Sequence, residues 1–325
     1  MTRRDRALQR DLPPSYNESD LYWRQYQKFF PEEIRLKAGD LPSEEWWEWD
    51  KGSIHIDRMP VTSSKLKIIS VHGAGGNGRM LAPYAKMLQN SGYEVVSPDL
   101  PPYGLSRAHS LHSIDYQLWI QLISDLIDRE LERDERPIVL LGSSIGGMLS
   151  YHAAAHNKKV KGLIATTFVD TSRSEVRDQL APNKLISRFG KLMLDSFPMV
   201  LDSLKISVNH VSRMHFISNN SELNQLIMND SGAAGTKVPL RLLRTFLDMK
   251  LSVRPEHFEV CPVLLVHPQE DRMTPISLSE PFYNKLRVSK KCVILEGAGH
   301  FPLESPGMQQ MKDAVLAFLQ ALENE

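Results

Sequence analysis

Ser144 stands at the centre of Gly142-Ser143-Ser144-Ile145-Gly146, directly after the short apolar run Ile138–Leu141. A strand that breaks there into a helix forces the central residue into a strained conformation and thrusts its hydroxyl outward. The flanking positions leave no room for a Cβ, which glycine satisfies. The hydroxyl then meets a helix N-terminus, where backbone dipoles favour developing negative charge. A serine so placed can attack an acyl carbon if a base takes its proton and a carboxylate orients the base. Among the 11 histidines, His300 stands apart in Gly297-Ala298-Gly299-His300-Phe301-Pro302, a loop ahead of the C-terminal helix. His72 belongs to a glycine loop and reads as structural, while His152 and His156 lie along the helix after Ser144 and point away from its start. For the carboxylate, Asp271 closes the loop after the run Pro262–Val266 and precedes Thr274-Pro275, a helix-start pair. Glu270 reads as a solvated neighbour. Asp170 is a rival for the role, because its loop follows another strand of the same sheet edge.

A second glycine loop, His72-Gly73-Ala74-Gly75-Gly76, follows the β-rich run Leu66–Val71 and can present backbone N–H groups to an anion. It has neither G-x-G-x-x-G nor a Walker lysine, so a nucleotide phosphate loop is disfavoured. Beside a nucleophilic serine its natural job is half of an oxyanion hole, with Ala74 N–H as one donor and Ile145 N–H as the other.

These residues need elements to position them, and the pattern supplies an alternation. Trp46–Trp49 and Ser53–Met59 read as entry strands, the three tryptophans covering a core edge. Strands then follow at Leu66–Val71, Tyr93–Val96, Ile138–Leu141, Val160–Ala165, Pro262–Val266 and Cys292–Leu295. Helices fall at Leu21–Phe30, Arg79–Asn90, Ser113–Glu132, Ile145–His156, Ile276–Leu286 and Pro306–Leu322. Strands alternating with helices predict an α/β fold with a mostly parallel, doubly wound sheet, whose chemistry lies in loops at the carboxyl ends of the strands. The stretch Thr167–Lys250 interrupts the alternation, lacks β runs and reads as several helices inserted as a cap over those ends. One of them, Asn183–Phe197, carries Leu185, Ile186, Phe189, Leu192 and Met193 at helical spacing, a stripe that lines a pocket or packs on the core.

With 39 basic and 39 acidic residues the chain has no net charge and no motif for nucleic acid. Cys261 and Cys292 adjoin apolar runs and read as reduced, buried residues rather than a disulfide framework or metal site. No secretory leader and no membrane-length apolar segment is seen, so the expected location is the cytoplasm. Residues 1–18 are polar and basic and read as a disordered or loosely attached arm.

From about residue 60 onward the sequence resembles the α/β-hydrolase family. The likeness rests on His72-Gly73, Asp99-Leu-Pro-Pro-Tyr-Gly104-Leu-Ser106, Gly142-Ser-Ser144-Ile-Gly146, Asp271 with Thr274-Pro275, and Gly299-His300-Phe-Pro302, in that order. Within the family it is most similar to capped esterases and the monoacylglycerol-lipase and lysophospholipase group. The resemblance implies a triad of Ser144, His300 and Asp271, ester hydrolysis through an acyl-enzyme, and no metal or organic cofactor. It implies a core of residues 60–166 and 251–325, a cap of residues 167–250, and an N-terminal arm, helix and entry strands over 1–59. Asp99 and Ser106 read as loop braces. Expected partners are a small ester with an apolar acyl group and, transiently, a lipid surface. Thioesterase, aminopeptidase, perhydrolase and hydroxynitrile-lyase chemistry on the same residues stays open, as does a slow, receptor-like hydrolase.

Overall fold

A computed structural model describes residues 13–19 and 22–324. Its strands, in chain order, are β1 (Ser43–Trp49), β2 (Gly52–Met59), β3 (Lys67–Val71), β4 (Glu94–Pro98), β5 (Arg107–Ala108), β6 (Ile138–Gly142), β7 (Val160–Ala165), β8 (Lys205–Ser207), β9 (Lys237–Pro239), β10 (Val263–Pro268) and β11 (Lys290–Leu295). Nine of them form one sheet in the order β1-β2-β4-β3-β6-β7-β10-β11, with β5 pairing on β2. β1, β2 and β5 make the antiparallel entry, and from β4 to β11 all pairs are parallel. Every residue of β3, β4 and β10 is buried, as Val/Ile/Leu-rich strands of a sheet flanked by helices are, with Lys67, Ser70, Glu94, Ser97 and His267 buried among them.

The topology explains the site. From β3 the chain first moves to β4 on one side, then returns to lay β6 against β3 on the other, with Val71 opposite Gly142. The loops after β3 and β6 therefore diverge at a topological switch point, where open α/β sheets leave a crevice. His72–Gly76 follow β3 and Ser143–Ser144 follow β6, and of these Ala74 and Ser144 line the cavity that opens there.

Several expectations need correction. The segment expected to lack strands holds a small antiparallel pair, β8 with β9, each three residues long. Runs that short cannot display a two-residue alternation. The helix expected from Ser113 begins at Tyr116, because the Asp115 carboxylate caps it by accepting from Leu118 N at 2.8 Å; Leu111–Ser113 is a separate 3-10 turn. The expected helix Leu21–Phe30 is a single α-turn, Trp23–Tyr26, running into a 3-10 turn, Gln27–Phe29; Leu21 lies outside the described residues. Cys261 is buried but Cys292 is exposed, because β11 is the edge strand. Residues 1–12 of the expected loose arm also lie outside the described residues, but Ser15, Tyr16 and Asn17 are anchored. Tyr16 is buried, its hydroxyl donates to Asp99 Oδ2 at 3.0 Å, and Glu44 accepts from Ser15 Oγ and from Tyr16 N.

Candidate active site

Ser144 occupies φ 56° and ψ −130°, a conformation that L-residues adopt only when the surroundings impose it. The imposition is steric. A Cβ on Gly142 would run into the Gly146 carbonyl, and one on Gly146 into the Val71 carbonyl. Ser144 N–H donates to Thr166 Oγ1 at 2.9 Å, and Ser143 N–H to Val71 O at 2.9 Å, so both neighbouring strands hold the turn.

The expected constellation converges. Ser144 Oγ lies 2.9 Å from His300 Nε2, and His300 Nδ1 lies 2.7 Å from Asp271 Oδ2. Asp271 is fixed in turn by its own loop. Its Oδ1 accepts from Met273 N at 2.9 Å and Thr274 N at 2.7 Å, and its Oδ2 accepts from Thr274 Oγ1 at 2.8 Å. Burial alone would raise the Asp271 pKa, but the adjacent His300 and the bonds from Thr274 outweigh it and hold the carboxyl well below the usual range. The Thr274 hydroxyl also sits 3.1 Å from His300 Nδ1, so it touches both members of the pair.

The other candidates are engaged elsewhere. Asp170 Oδ1 accepts from Ser172 N at 3.1 Å and from Ser172 Oγ at 2.5 Å, which caps its own turn. His72 is fully bonded as a neutral ring, Nδ1–H donating to Gly73 O at 2.8 Å and Nε2 accepting from Leu100 N at 2.9 Å; burial pushes its pKa down. His152 lies against Met249 Sδ, its pKa pushed down to about 4 by burial. His156 and Glu270 are exposed. Asp99 accepts from Gly78 N and Leu105 N, both at 2.7 Å, and thereby braces the loop that carries Tyr103. Ser106 Oγ accepts from His55 N at 2.8 Å.

Ser144 opens on a cavity of about 370 Å³ lined by Ala74, Ile145, Tyr103 and Trp119 on the sheet side. Leu180, Leu194, Val238, Leu242 and Phe246, all from the segment between β7 and β10, form most of the rest. None of the described residues that line it is Asp or Glu. Of the expected apolar stripe, Ile186 and Met193 reach this cavity. Leu185, Phe189 and Leu192 neither line it nor pack on the core, being 68, 64 and 61% exposed. Helical spacing defines a face; it does not say which side of the helix meets protein.

Among the described residues one group of potential metal ligands converges, Glu44, His55 and Asp57. A guanidinium already serves it, since Arg79 Nε donates to Asp57 Oδ2 at 2.6 Å and Nη2 lies 3.6 Å from Glu44. His55 Nε2 contacts Glu44 at 2.9 Å, and Nδ1 lies 3.3 Å from Asp99 Oδ2. Burial would lower the His55 pKa, yet Asp99 and Glu44 raise it to about 10, and Glu44 falls to about 2.

Two contributors were not singled out from the sequence. Thr274 reads from the sequence as a helix start, though an Asp followed three positions later by Thr is a spacing at which the two can bond. Thr166 carries no such signal, being brought to Ser144 only by the pairing of β6 with β7.

Residues 62–306 match the Hydrolase_4 family, described as serine aminopeptidase, S33. The chain belongs to this α/β-hydrolase family. It is accordingly a hydrolase. It is 25% identical to phospholipase YtpA of Bacillus subtilis over 256 residues, 77% of this chain and 93% of that one. It is 34% identical to a pyrethroid hydrolase of Sphingobium wenxiniae over 106 residues, 32% of this chain but only 36% of that enzyme. Its fold is that of a soluble variant of monoglyceride lipase from Saccharomyces cerevisiae solved with a substrate analogue, at TM-score 0.71 and 15% identity over 90% of this chain and 98% of that one. No helix among the described residues is long and apolar enough to cross a membrane.

Proposed function

We propose that this hydrolase cleaves carboxylic esters with apolar, medium-chain acyl groups through a Ser144–His300–Asp271 triad and an acyl-enzyme. The observation that carries the reading is the unbroken line of contacts from Ser144 Oγ to Asp271, 2.9 and 2.7 Å, opening directly on an apolar cavity. His300 Nε2 takes the hydroxyl proton as Oγ attacks the ester carbon, while Asp271 holds Nδ1–H and stabilises the imidazolium. The oxyanion lies between Ala74 N–H and Ile145 N–H, each beside Ser144 and donating to no described group. The C–O bond to the leaving group then breaks, and His300 returns the proton to the departing alkoxide. Water, deprotonated by the same histidine, attacks the acyl carbon; the bond to Ser144 Oγ breaks, His300 returns the proton to Oγ, and the acid is released.

Residues 167–250 act as a cap over a core of residues 60–166 and 251–325, since they supply most of the apolar lining. The outer face of the cap helix Lys184–Ser196, with Leu185, Phe189 and Leu192 exposed beside Lys184 and Arg188, meets the lipid surface from which such esters partition. Phospholipase YtpA and the yeast monoglyceride lipase are named for lipid esters, in keeping with this choice. The family description instead suggests aminopeptidase chemistry. A site for a peptide N-terminus needs an anionic partner for its ammonium, and the described cavity lining offers no carboxylate. Two free cysteines fit a reducing compartment, the cytoplasm.

A panel of p-nitrophenyl esters, matching thioesters and aminoacyl anilides tests the reading. Oxygen esters of hexanoic or octanoic acid should give the highest kcat/KM. Preferential cleavage of aminoacyl anilides would replace it with the peptidase reading.

A further inference from the structure

The loop that carries His300 belongs to no strand or helix, since β11 ends at Leu295 and the next helix starts at Gly307. Its position rests on tertiary contacts. Ala298 O accepts from Glu270 N at 2.9 Å, Phe301 N donates to Ile217 O at 2.8 Å, and the Tyr84 hydroxyl donates to Pro302 O at 2.7 Å. The ring of Phe301, next in sequence to His300, joins two others in a closed trio. Its centroid is 5.4 Å from Tyr84 and 5.7 Å from Phe30, and Phe30 lies 5.7 Å from Tyr84. The interplanar angles of 82°, 87° and 77° make all three contacts edge-to-face, the arrangement in which ring quadrupoles attract.

Phe30 comes from outside the family-matched stretch of residues 62–306, yet it is only 1% exposed. Its segment is held at several points. Arg35 Nε donates to Phe30 O at 2.8 Å, and the Tyr16 hydroxyl donates to Asp99 of the core at 3.0 Å. Tyr26 Oη donates to Asp230 at 2.5 Å, and Lys28 pairs with Glu222, both partners lying between β7 and β10.

We infer that Phe30 is a positioning residue of the active site: through Phe301 it holds His300 at proton-transfer distance from Ser144. The inference rests on the triad reading above. Tyr84 and Ile217 hold the backbone around Phe301, and the Phe301 ring itself packs edge-to-face on both Tyr84 and Phe30. Deleting that ring opens space into which Phe301, and the imidazole beside it, can shift. A displacement of about 1 Å in a reacting group is enough to cost up to about 100-fold in rate. Substrate contacts stay intact, because Phe30 is not among the residues lining the cavity.

The test compares the full-length wild type with Phe30→Ala, Phe30→Leu and Ile34→Ala. Ile34 is a buried residue of the same segment, and its truncation controls for lost packing. Each variant is measured for thermal unfolding, for kcat and KM on an octanoyl ester, and for the rate of fluorophosphonate labelling at Ser144. Phe30→Ala should lower kcat and labelling together by about 10- to 100-fold with KM within about twofold, and Phe30→Leu should recover part of the loss. Ile34→Ala should lose stability but keep kcat. If Phe30→Ala yields no soluble protein, Phe30→Leu carries the test, with an expected loss of about threefold or more. Unchanged kcat in the soluble Phe30 variants, or an equal kcat loss in Ile34→Ala, overturns the inference alone. A wild type that takes no label at Ser144 overturns the triad, and this inference with it.

Discussion

Replacing Thr274 by valine removes one hydroxyl and almost no volume from the junction of Asp271 and His300. The side chain is wholly buried, and its Oγ1 donates to Asp271 Oδ2 at 2.8 Å while lying 3.1 Å from His300 Nδ1. A hydrogen bond to a charged acceptor contributes about 1.5–3 kcal/mol. Asp271 Oδ1 keeps its two backbone donors, so the loss should fall near the lower end, about 1.5 kcal/mol, or roughly tenfold in rate. It should appear in kcat, because in the proposed mechanism the carboxylate acts on the imidazolium that forms only as Ser144 attacks. The direction is reinforced by Asp271 itself, whose pKa rises once a bond holding it down is gone. Steady-state kinetics on a soluble octanoyl ester should show kcat down about tenfold, KM nearly unchanged, and Thr274→Ser close to wild type. Asp271→Asn should be far worse, about 10⁴-fold. Wild-type kcat in Thr274→Val, or a serine variant as poor as the valine one, would refute the role given to this hydroxyl.

Other expectations follow from the same geometry. His55, raised to about 10 from 6.5, contributes stability that is full below pH 6.5 and is lost as pH rises through 10; Glu44, lowered to about 2 from 4.5, contributes above pH 4.5 and loses it towards pH 2. Urea unfolding should therefore flatten between about pH 4.5 and 6.5 and weaken on the alkaline side, and His55→Gln should remove that alkaline slope at a cost of about 3–5 kcal/mol. For substrate length, each added CH₂ should contribute up to about 0.8 kcal/mol from acetyl to hexanoyl or octanoyl, and Leu194→Trp, which fills the cavity, should depress octanoyl turnover more than acetyl, as a kcat/KM series will read. Phe189→Ser with Leu192→Ser should weaken flotation with anionic vesicles and leave soluble-ester kinetics intact, because both residues are exposed and neither lines the cavity.

The parts of this molecule that were legible in the sequence are those governed by short-range rules. Gly142, Ser144 and Gly146 announce the turn because only glycine fits beside it, and His300 and Asp271 fall in loops that follow apolar runs. The central strands were readable because strands covered by helices on both faces are rich in Val, Ile and Leu. What escaped depends on contacts distant in sequence. Tyr16 is anchored by Asp99 and by the guanidinium of Arg79 over its ring, partners that no local pattern around a polar arm discloses. The outward direction of Phe189 was equally hidden, since periodicity fixes an apolar face and leaves its partner open. The Thr274-Pro275 helix start and the family resemblance favour Asp271 over Asp170, and the geometry separates them further: both follow strands of one sheet, but one bonds to Ser172 and the other to His300.

The most direct test is the site and rate of fluorophosphonate labelling, mapped by peptide mass in the wild type and in His300→Ala. A triad with Ser144 as nucleophile predicts one adduct, on Ser144, formed several orders of magnitude more slowly when His300 is removed. An adduct on Ser143, no adduct at all, or a rate indifferent to His300 would contradict it.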